Sequence, residues 1–217
     1  MGRVVFEMGV LKSDQNTSDI ALVILAAGQS QRLGHAKQLV TWKDKSLLQH
    51  TIDEAEALQI PTYVVLGANY NTIEDAVVVG HQTTVLRNHD WPEGMASSIR
   101  CALLAVPESI AWVLFCVCDQ PYISSDLFQN LIKKQQETQQ PIVACAYSDT
   151  FGVPMLLHRQ FFPALLALQG DAGAKKIVLQ NIDKLATFDF PLGHIDIDTS
   201  TDIQFLTNNE RHFRTDS

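Results

Sequence analysis

Arg32 and Lys37 stand five residues apart in "LAAGQSQRLGHAKQL" (residues 25 to 39), beside Gly28, Ser30 and Gly34. Glycines let backbone N–H groups come close to an anion and let the chain turn through positive φ. The arginine fork matches phosphate oxygens, and the lysine adds a compact point charge. A triphosphate carries about four negative charges near neutral pH, so it needs concentrated cations and available amides. Two standard phosphate motifs are absent. Gly28 and Gly34 lie six apart with Lys37 three further on, which is not the P-loop spacing, and no G-x-G-x-x-G occurs here. On composition alone the plain alternative is a solvated strand-to-helix turn whose charges have no ligand.

Carboxylates recur at two other places. Asp119 follows the apolar run "AWVLFCV" and precedes Gln120-Pro121, and the proline ring ends the run. A carboxylate at such a strand end can ligate Mg²⁺, which takes oxygen ligands from one or two acids, phosphates and water. It can equally bond nearby backbone N–H groups as a turn aspartate. Asp196 and Asp198 are two apart, a spacing that puts both on one face of an extended segment. Asp198 could instead cap the following helix, and Asp202 reads as a first-turn acid facing the dipole. In "NHDWPEGMASSIR" (88 to 100), Gly94, Ala96, Ser97 and Ser98 leave room for a ligand at a helix start, or form an ordinary capped helix. "GDAGAKK" sets Gly170, Asp171 and Gly173 before another helix, with Asp171 as a possible N-cap. Nothing resembles a Ser–His–Asp arrangement, and no feature calls for a covalent nucleophile.

These residues need a scaffold, and the chain alternates short apolar runs with longer amphipathic ones. Strands are expected at 21–26, 62–66, 83–86, 111–117, 142–146 and 153–157. Helices are expected at 46–58, 71–78, 95–104, 125–138, 161–168, 172–180 and 199–206, with Ser46 and Ser124 or Ser125 as caps. That alternation predicts a Rossmann-like three-layer α/β/α sandwich around a mostly parallel sheet of about seven strands. An open α/β sheet binds ligands beyond the carboxyl ends of its strands, which is where the residue 25–39 loop and Asp119 fall. No Pro/Gly/Ser-rich linker divides the chain, so residues 19–217 read as one domain after a loose extension of 18 residues.

Composition removes several function classes. The formal net charge of −8 argues against a duplex nucleic-acid binder, but a nucleotide substrate needs only a few local cations. No run approaches the apolar length of a membrane span, and the start lacks a signal-peptide core. Cys101, Cys116, Cys118 and Cys145 form no C-x-x-C pair and mostly sit by expected strands, so buried free thiols in a reducing cytoplasm are expected.

Taken in order, these segments resemble the MobA-like nucleotidyltransferases. The loop follows the family pattern L-A-A-G-x-S-x-R-x-G-x-x-K-x-L and is most similar to the molybdenum cofactor cytidylyltransferases, because the guanylyltransferase branch usually has a glycine where this chain has Ala27. "NHDWPEGMASSIR", "CDQPYI", "GVP" (152 to 154), "GDAGAKK" and "DIDTSTDI" (196 to 203) fall in the family's order. The resemblance implies a nucleotide-diphospho-sugar transferase fold. It implies transfer of CMP from CTP to the terminal phosphate of a molybdopterin-type cofactor with Mg²⁺, and a molybdoenzyme as recipient of the product. It implies nucleotide contacts at Leu25, Ala26, Ala27, Gly28, Ser30, Arg32, Gly34, Lys37, Gly67, Gly94, Ser97, Ser98 and Asp119. Lys37, Arg32 and Asp119 are the implied catalytic groups, and Asp119 with Asp196 or Asp198 holds the metal, Asp196 slightly preferred. The implied acceptor pocket takes Gly152, Pro154, Gly170, Asp171 and Gly173; the family often has arginine where Lys175 stands. Alternatives are a guanylyltransferase or another MobA-like enzyme and, from another class, a non-catalytic nucleotide-binding partner of a molybdoenzyme. Retention of Lys37 and Asp119 favours an enzyme.

Overall fold

The structure is a computed structural model that describes residues 19–213, so the expected N-terminal extension lies outside the described residues. Its strands are β1 Ile20–Ala26, β2 Thr41–Trp42, β3 Lys45–Ser46, β4 Thr62–Leu66, β5 Thr83–Arg87, β6 Trp112–Val117, β7 Ile142–Tyr147, β8 Thr150–His158 and β9 Leu185–Asp189. Its helices are α1 Leu47–Glu56, α2 Tyr70–Glu74, α3 Met95–Ala105, α4 Ser125–Thr138, α5 Phe162–Leu166, α6 Lys175–Leu179 and α7 Ser200–Phe213. Ser46 caps α1 by accepting from the Gln49 amide (3.1 Å), and Ser124 caps α4 by accepting from that of Leu127 (3.3 Å).

The main sheet has seven strands in the order β5-β4-β1-β6-β8-β7-β9. It is mostly parallel: β8 alone runs against its neighbours, β6 and β7. β1 shows why the sheet is sandwiched. Leu22 and Ile24 enter one core with Leu48 and Ile52 of α1 and Leu131 of α4, whereas Ala21 and Val23 enter the other with Ile99 of α3 and Leu165 of α5. Side-chain alternation thus feeds two helix layers from one apolar run. Burying a leucine or isoleucine fully contributes roughly 1.5–3 kcal/mol. Among the described residues no helix is long and apolar enough to cross a membrane.

The differences from expectation have local causes. β8 starts earlier than residue 153 because Ser148 and Asp149, both at positive φ (48° and 57°), make a tight hairpin turn from β7. Lys43 and Asp44 (φ 47° and 66°) likewise turn the β2–β3 hairpin, which the sequence reading did not contain. β9 was also missed, since "LATFD" alternates buried and exposed positions weakly at a sheet edge. α5 and α6 are only five residues each, against expectations of 161–168 and 172–180. Gly170 at φ 62° holds the chain ahead of α6 out of helical conformation, so Asp171 does not cap it; the N-cap is Ala174. α2 is short too, and the last helix, expected to start over 199–206, is α7 and runs to Phe213.

A third, smaller core ties the far end of the chain to the first crossover. Val40, Trp42 and Leu47 pack with Ile197 and Leu206. The hairpin after the glycine loop is therefore the seat on which the Asp196–Asp198 segment and α7 rest.

Candidate active site

β1 and β6 are neighbours whose connections leave in opposite directions, β1 toward β4 and β6 toward β7 and β8. A crevice opens at the carboxyl ends where such connections part. Lys37 from the loop after β1 and Asp119 from the loop after β6 meet across it, with the Lys37 ammonium donating to Asp119 Oδ2. It also donates to Asp198 Oδ1 at 3.0 Å, and Arg32 Nη1 stands 3.6 Å from Asp198 Oδ2. Three segments far apart in the chain thus share one charge cluster. The Lys37 and Asp119 side chains are only 19% and 17% exposed, while Arg32 is 78% exposed and therefore available to a ligand. Burial pulls the Lys37 ammonium down, but the charge and hydrogen bonds of Asp119 and Asp198 outweigh it and hold the group above the usual lysine range.

The acids are set by backbone as much as by packing. Ile197 is fully buried in the small core, and its N–H donates to the Asp119 carbonyl at 2.9 Å. The carboxylates on either side of it therefore turn away from that core. Thr199 Oγ1 accepts from the Asp202 amide (3.3 Å) and caps α7, while Asp202 in the first turn accepts in return from the Asp198 and Thr199 amides (3.0 and 2.7 Å) and so orients Asp198, which is not itself the cap. Asp198, rather than the preferred Asp196, makes the ion pairs. Asp196 is exposed on its outer side, yet its carboxyl is pushed up to about 6 by burial of its inner side and by the charges of Asp119 and Asp198.

A cleft of ≈ 460 Å³ opens beside this cluster. The first loop lines it with Leu25, Ala27, Gly28, Ser30, Arg32 and Lys37, and the opposite wall brings Trp91, Gly94, Ser98 and Asp171, with Asp198 at one end. Gly94 has φ 119°, and a Cβ there would collide with Asp171 Oδ1 and lie 2.6 Å from the Gly170 carbonyl carbon. No other residue lets the start of α3 and the turn at Gly170 and Asp171, which together make this wall, approach so closely.

A comparison with protein-family models matches residues 22–185 to the MobA-like NTP transferase domain. The chain belongs to this family. The molybdenum cofactor guanylyltransferase of Vibrio cholerae serotype O1 is 31% identical over 165 residues, 75% of this chain and 76% of its own. The molybdenum cofactor cytidylyltransferase of Escherichia coli K12 is 27% identical over 116 residues, 52% and 58% of the two chains. Nicotine blue oxidoreductase of Paenarthrobacter nicotinovorans is 30% identical over 193 residues, 82% and 91%. Among solved structures, Rv0371c of Mycobacterium tuberculosis H37Rv superposes with a TM-score of 0.77 at 28% identity, covering 88% of this chain and 99% of that one. The same protein has been solved in complex with manganese, at a TM-score of 0.72 and 25% identity over 88% and 98% of the two chains. The architecture is that of the nucleotide-diphospho-sugar transferases, as the Rv0371c superposition shows.

In this MobA-like chain the remaining site candidates divide by position. Ala26 is buried at the end of β1 behind the cleft. Gly34 faces a separate hollow on the other side of the loop with His35 and Asn69. Gly67 lies beneath the loop, where a Cβ would come within 2.5 Å of Trp91 Cβ and 2.8 Å of the Ala27 carbonyl. Ser97 is buried and takes a hydrogen bond from Asn88 Nδ2 (2.8 Å), which also reaches Ser98 Oγ at 3.1 Å. Gly170 accepts from the Ala96 amide at the rim (3.0 Å), and Gly173 abuts Met95. Gly152 and Pro154 lie within β8, Gly152 against the Tyr147 hydroxyl, and neither lines the cleft.

The donor set suits a hard cation. Among the described residues no three His, Cys, Asp or Glu side chains form a metal cage. Mg²⁺ does not require one, because it keeps waters and substrate phosphates and asks for one or two carboxylates. Asp119 Oδ1 is buried without a hydrogen-bond partner, an orphan acceptor of the kind that a cation satisfies. Gln38 and Asn88 are the polar residues around the cleft that motif reasoning passed over. Both are buried amides, and the only sequence signal was an uncharged polar residue standing where the pattern required burial.

Proposed function

We propose that this chain transfers CMP from CTP to the terminal phosphate of a molybdopterin-type cofactor and releases pyrophosphate. One observation carries the reading: Arg32, Lys37 and Asp198 line one cleft beside a glycine loop, and Asp119, behind the lining, holds the Lys37 ammonium, so that three distant segments share one charge cluster. The acceptor phosphate attacks the α-phosphorus in line, so two anions must be brought together, and positioning with charge neutralisation dominates the catalysis. Lys37 and Arg32 hold the triphosphate and offset the charge developing on the leaving pyrophosphate. Asp119 with Asp198 or Asp196 supplies the carboxylate oxygens for a divalent cation. Bound Mg²⁺ adds Lewis-acid neutralisation of phosphate oxygens. Gly94 and Asp171 bound the far side of the cleft, where the carboxylate accepts from the hydroxyl or N–H groups of a substrate. The finished cofactor passes to a molybdoenzyme.

Ala27 supports the choice of cytosine. It lines the cleft at a position where the guanylyl branch usually has glycine, and a methyl in place of hydrogen leaves less room for a purine. The 31% identity to a molybdenum cofactor guanylyltransferase favours GTP as the second reading. Thermal shift with each nucleotide and Mg²⁺ separates the two. A ligand at a hundred times its Kd adds about 2.7 kcal/mol, roughly 5–10 °C for a chain of this size at about 2–4 °C per kcal/mol. The expected order is CTP above GTP and ATP, with pyrophosphate released from CTP when acceptor is added. A larger shift and faster release with GTP would establish the guanylyl reading. No release from any nucleoside triphosphate, despite binding, would reduce the protein to a carrier.

A further inference from the structure

We infer that Gln38 is the positioning residue that turns the glycine loop's N–H groups toward the nucleotide. The inference rests on the nucleotidyl-transfer reading and adds to it a residue outside the cleft lining. Gln38 is fully buried. Its Nε2 donates to the carbonyls of Ala26 (2.8 Å) and Gly28 (2.9 Å), two positions on the same turn of loop. The carbonyl between them, that of Ala27, accepts from the Ala68 amide at 3.1 Å. Three consecutive carbonyls are thereby bonded inside the protein.

The other edge of the same peptides behaves differently. Among the described residues the amides of Gly28, Gln29 and Ser30 donate to no protein acceptor, and Gly28 and Gln29 are exposed. Successive amides left open while their carbonyls are held form an anion-binding concavity. The Gln38 side chain also continues toward the charge cluster. Its Oε1 lies 3.5 Å from Ser30 Oγ, and Ser30 Oγ accepts from the Lys37 amide at 3.0 Å. Ser30 sits at φ 58°, a left-handed conformation that this bonding holds in place. One buried carboxamide therefore sets both the amide face of the loop and the start of the turn that carries Lys37. Only a side chain with two N–H donors at this reach can serve two carbonyls at once, which neither glutamate nor an aliphatic residue does.

The test compares wild type with Gln38→Met and Gln38→Glu in the full chain. Isothermal titration with CTP and with inorganic tripolyphosphate reads triphosphate binding without the acceptor, and steady-state assays read both KM values and kcat. Each variant that remains folded by circular dichroism is expected to bind both probes at least tenfold more weakly. Its nucleotide KM should rise by the same factor, with kcat falling less steeply and acceptor KM changed less than threefold. Probe affinities within threefold of wild type, or equal proportional losses in every parameter, would overturn the positioning role. If neither variant folds, the wild-type Gln38 Nε2 protons give the answer by nuclear magnetic resonance. Slow exchange with solvent supports two standing hydrogen bonds, and exchange as fast as that of a surface glutamine overturns them. Because the binding measurement needs no turnover, a wild-type protein that never releases pyrophosphate would sink the proposed reaction while leaving the Gln38 result readable.

Discussion

Replacing Lys37 by methionine should slow the reaction and tighten the hold on a divalent cation at the same time. Methionine keeps an unbranched apolar stem of similar length, so the change is chiefly the loss of one positive charge. In the structure that charge stands 3.0 Å from Asp198 Oδ1 and in direct contact with Asp119. At 3.0 Å a unit pair is worth about 1.4 kcal/mol at the dielectric of water and about 5.5 kcal/mol at an effective value of 20. Asp198 is 45% exposed, which places its share near the lower figure, so we take about 1.4 kcal/mol. A cation that no longer displaces the ammonium from the same carboxylates gains that amount, or roughly tenfold in Kd. Catalysis moves the other way: loss of a preorganised group facing developing charge costs about 10²–10³ in kcat. Stability also falls, because Asp119 is left with an uncompensated, largely buried carboxylate. Breaking a buried pair costs about 3–5 kcal/mol, and partial exposure reduces this to roughly 2 kcal/mol, a melting point about 4–8 °C lower without metal. Added Mg²⁺ should recover part of that loss. Titration calorimetry with MgCl₂ and MnCl₂, pyrophosphate release and metal-free melting report the three effects separately. Turnover within threefold of wild type removes the lysine from the mechanism. Slow turnover with unchanged or weaker cation affinity refutes the idea that ammonium and metal share one set of acids.

Asp119→Asn keeps the shape and removes the charge, so divalent-dependent turnover should fall by about a hundredfold or more with an unchanged circular dichroism spectrum; full recovery on merely raising CTP would count against metal ligation. Asp196→Asn tests the crowded acids through pH. The folded protein retains a proton on Asp196 up to about 6, whereas the unfolded chain releases it near 3.8, so ionising this group removes stability as pH rises through that window. The variant should therefore melt higher than wild type above about pH 6.5 and equally below about pH 4, by under 1 kcal/mol because the residue's outer side is in water; a gain confined to acid pH would reverse the assignment. Gly94→Ala must fit a methyl against Asp171 and Gly170 at φ 119°, so a loss of about 1–3 kcal/mol and weakened nucleotide binding are expected in denaturant melts and titrations. Wild-type values for both would mean that the close approach of Gly94 to the turn at Gly170 and Asp171 matters neither to the fold nor to the cleft.

How far this site could be seen in the sequence depends on whether a residue acts through its own charge or through its neighbours' backbone. Asp119 was visible because it stands two residues past a buried run whose end must lie at the sheet's carboxyl edge, and Lys37 because it belongs to the glycine loop that leaves the neighbouring strand at the same edge. The pairing of Asp196 with Asp198 was visible as a two-residue period. Which of them faces Lys37 was not, since that depends on an Ile197 amide finding the Asp119 carbonyl and on Asp202, in the first turn of α7, reaching back to the Asp198 amide. The parallel strands β1, β4 and β6 were read from continuous apolar runs, which burial on both faces requires. β9 and the two hairpins have no such signature: β9 is an edge strand with mixed faces, and Ser148-Asp149 and Lys43-Asp44 make tight turns without the glycine that usually marks them. Gln38 was hidden for the same reason. Glutamine carries no charge and belongs to no spacing rule, and its importance exists only once two carbonyls have been folded to within 3 Å of it. Motifs therefore locate the charged groups that gather at the cleft, while the buried residues that hold the loop around them are found by following where each buried donor goes.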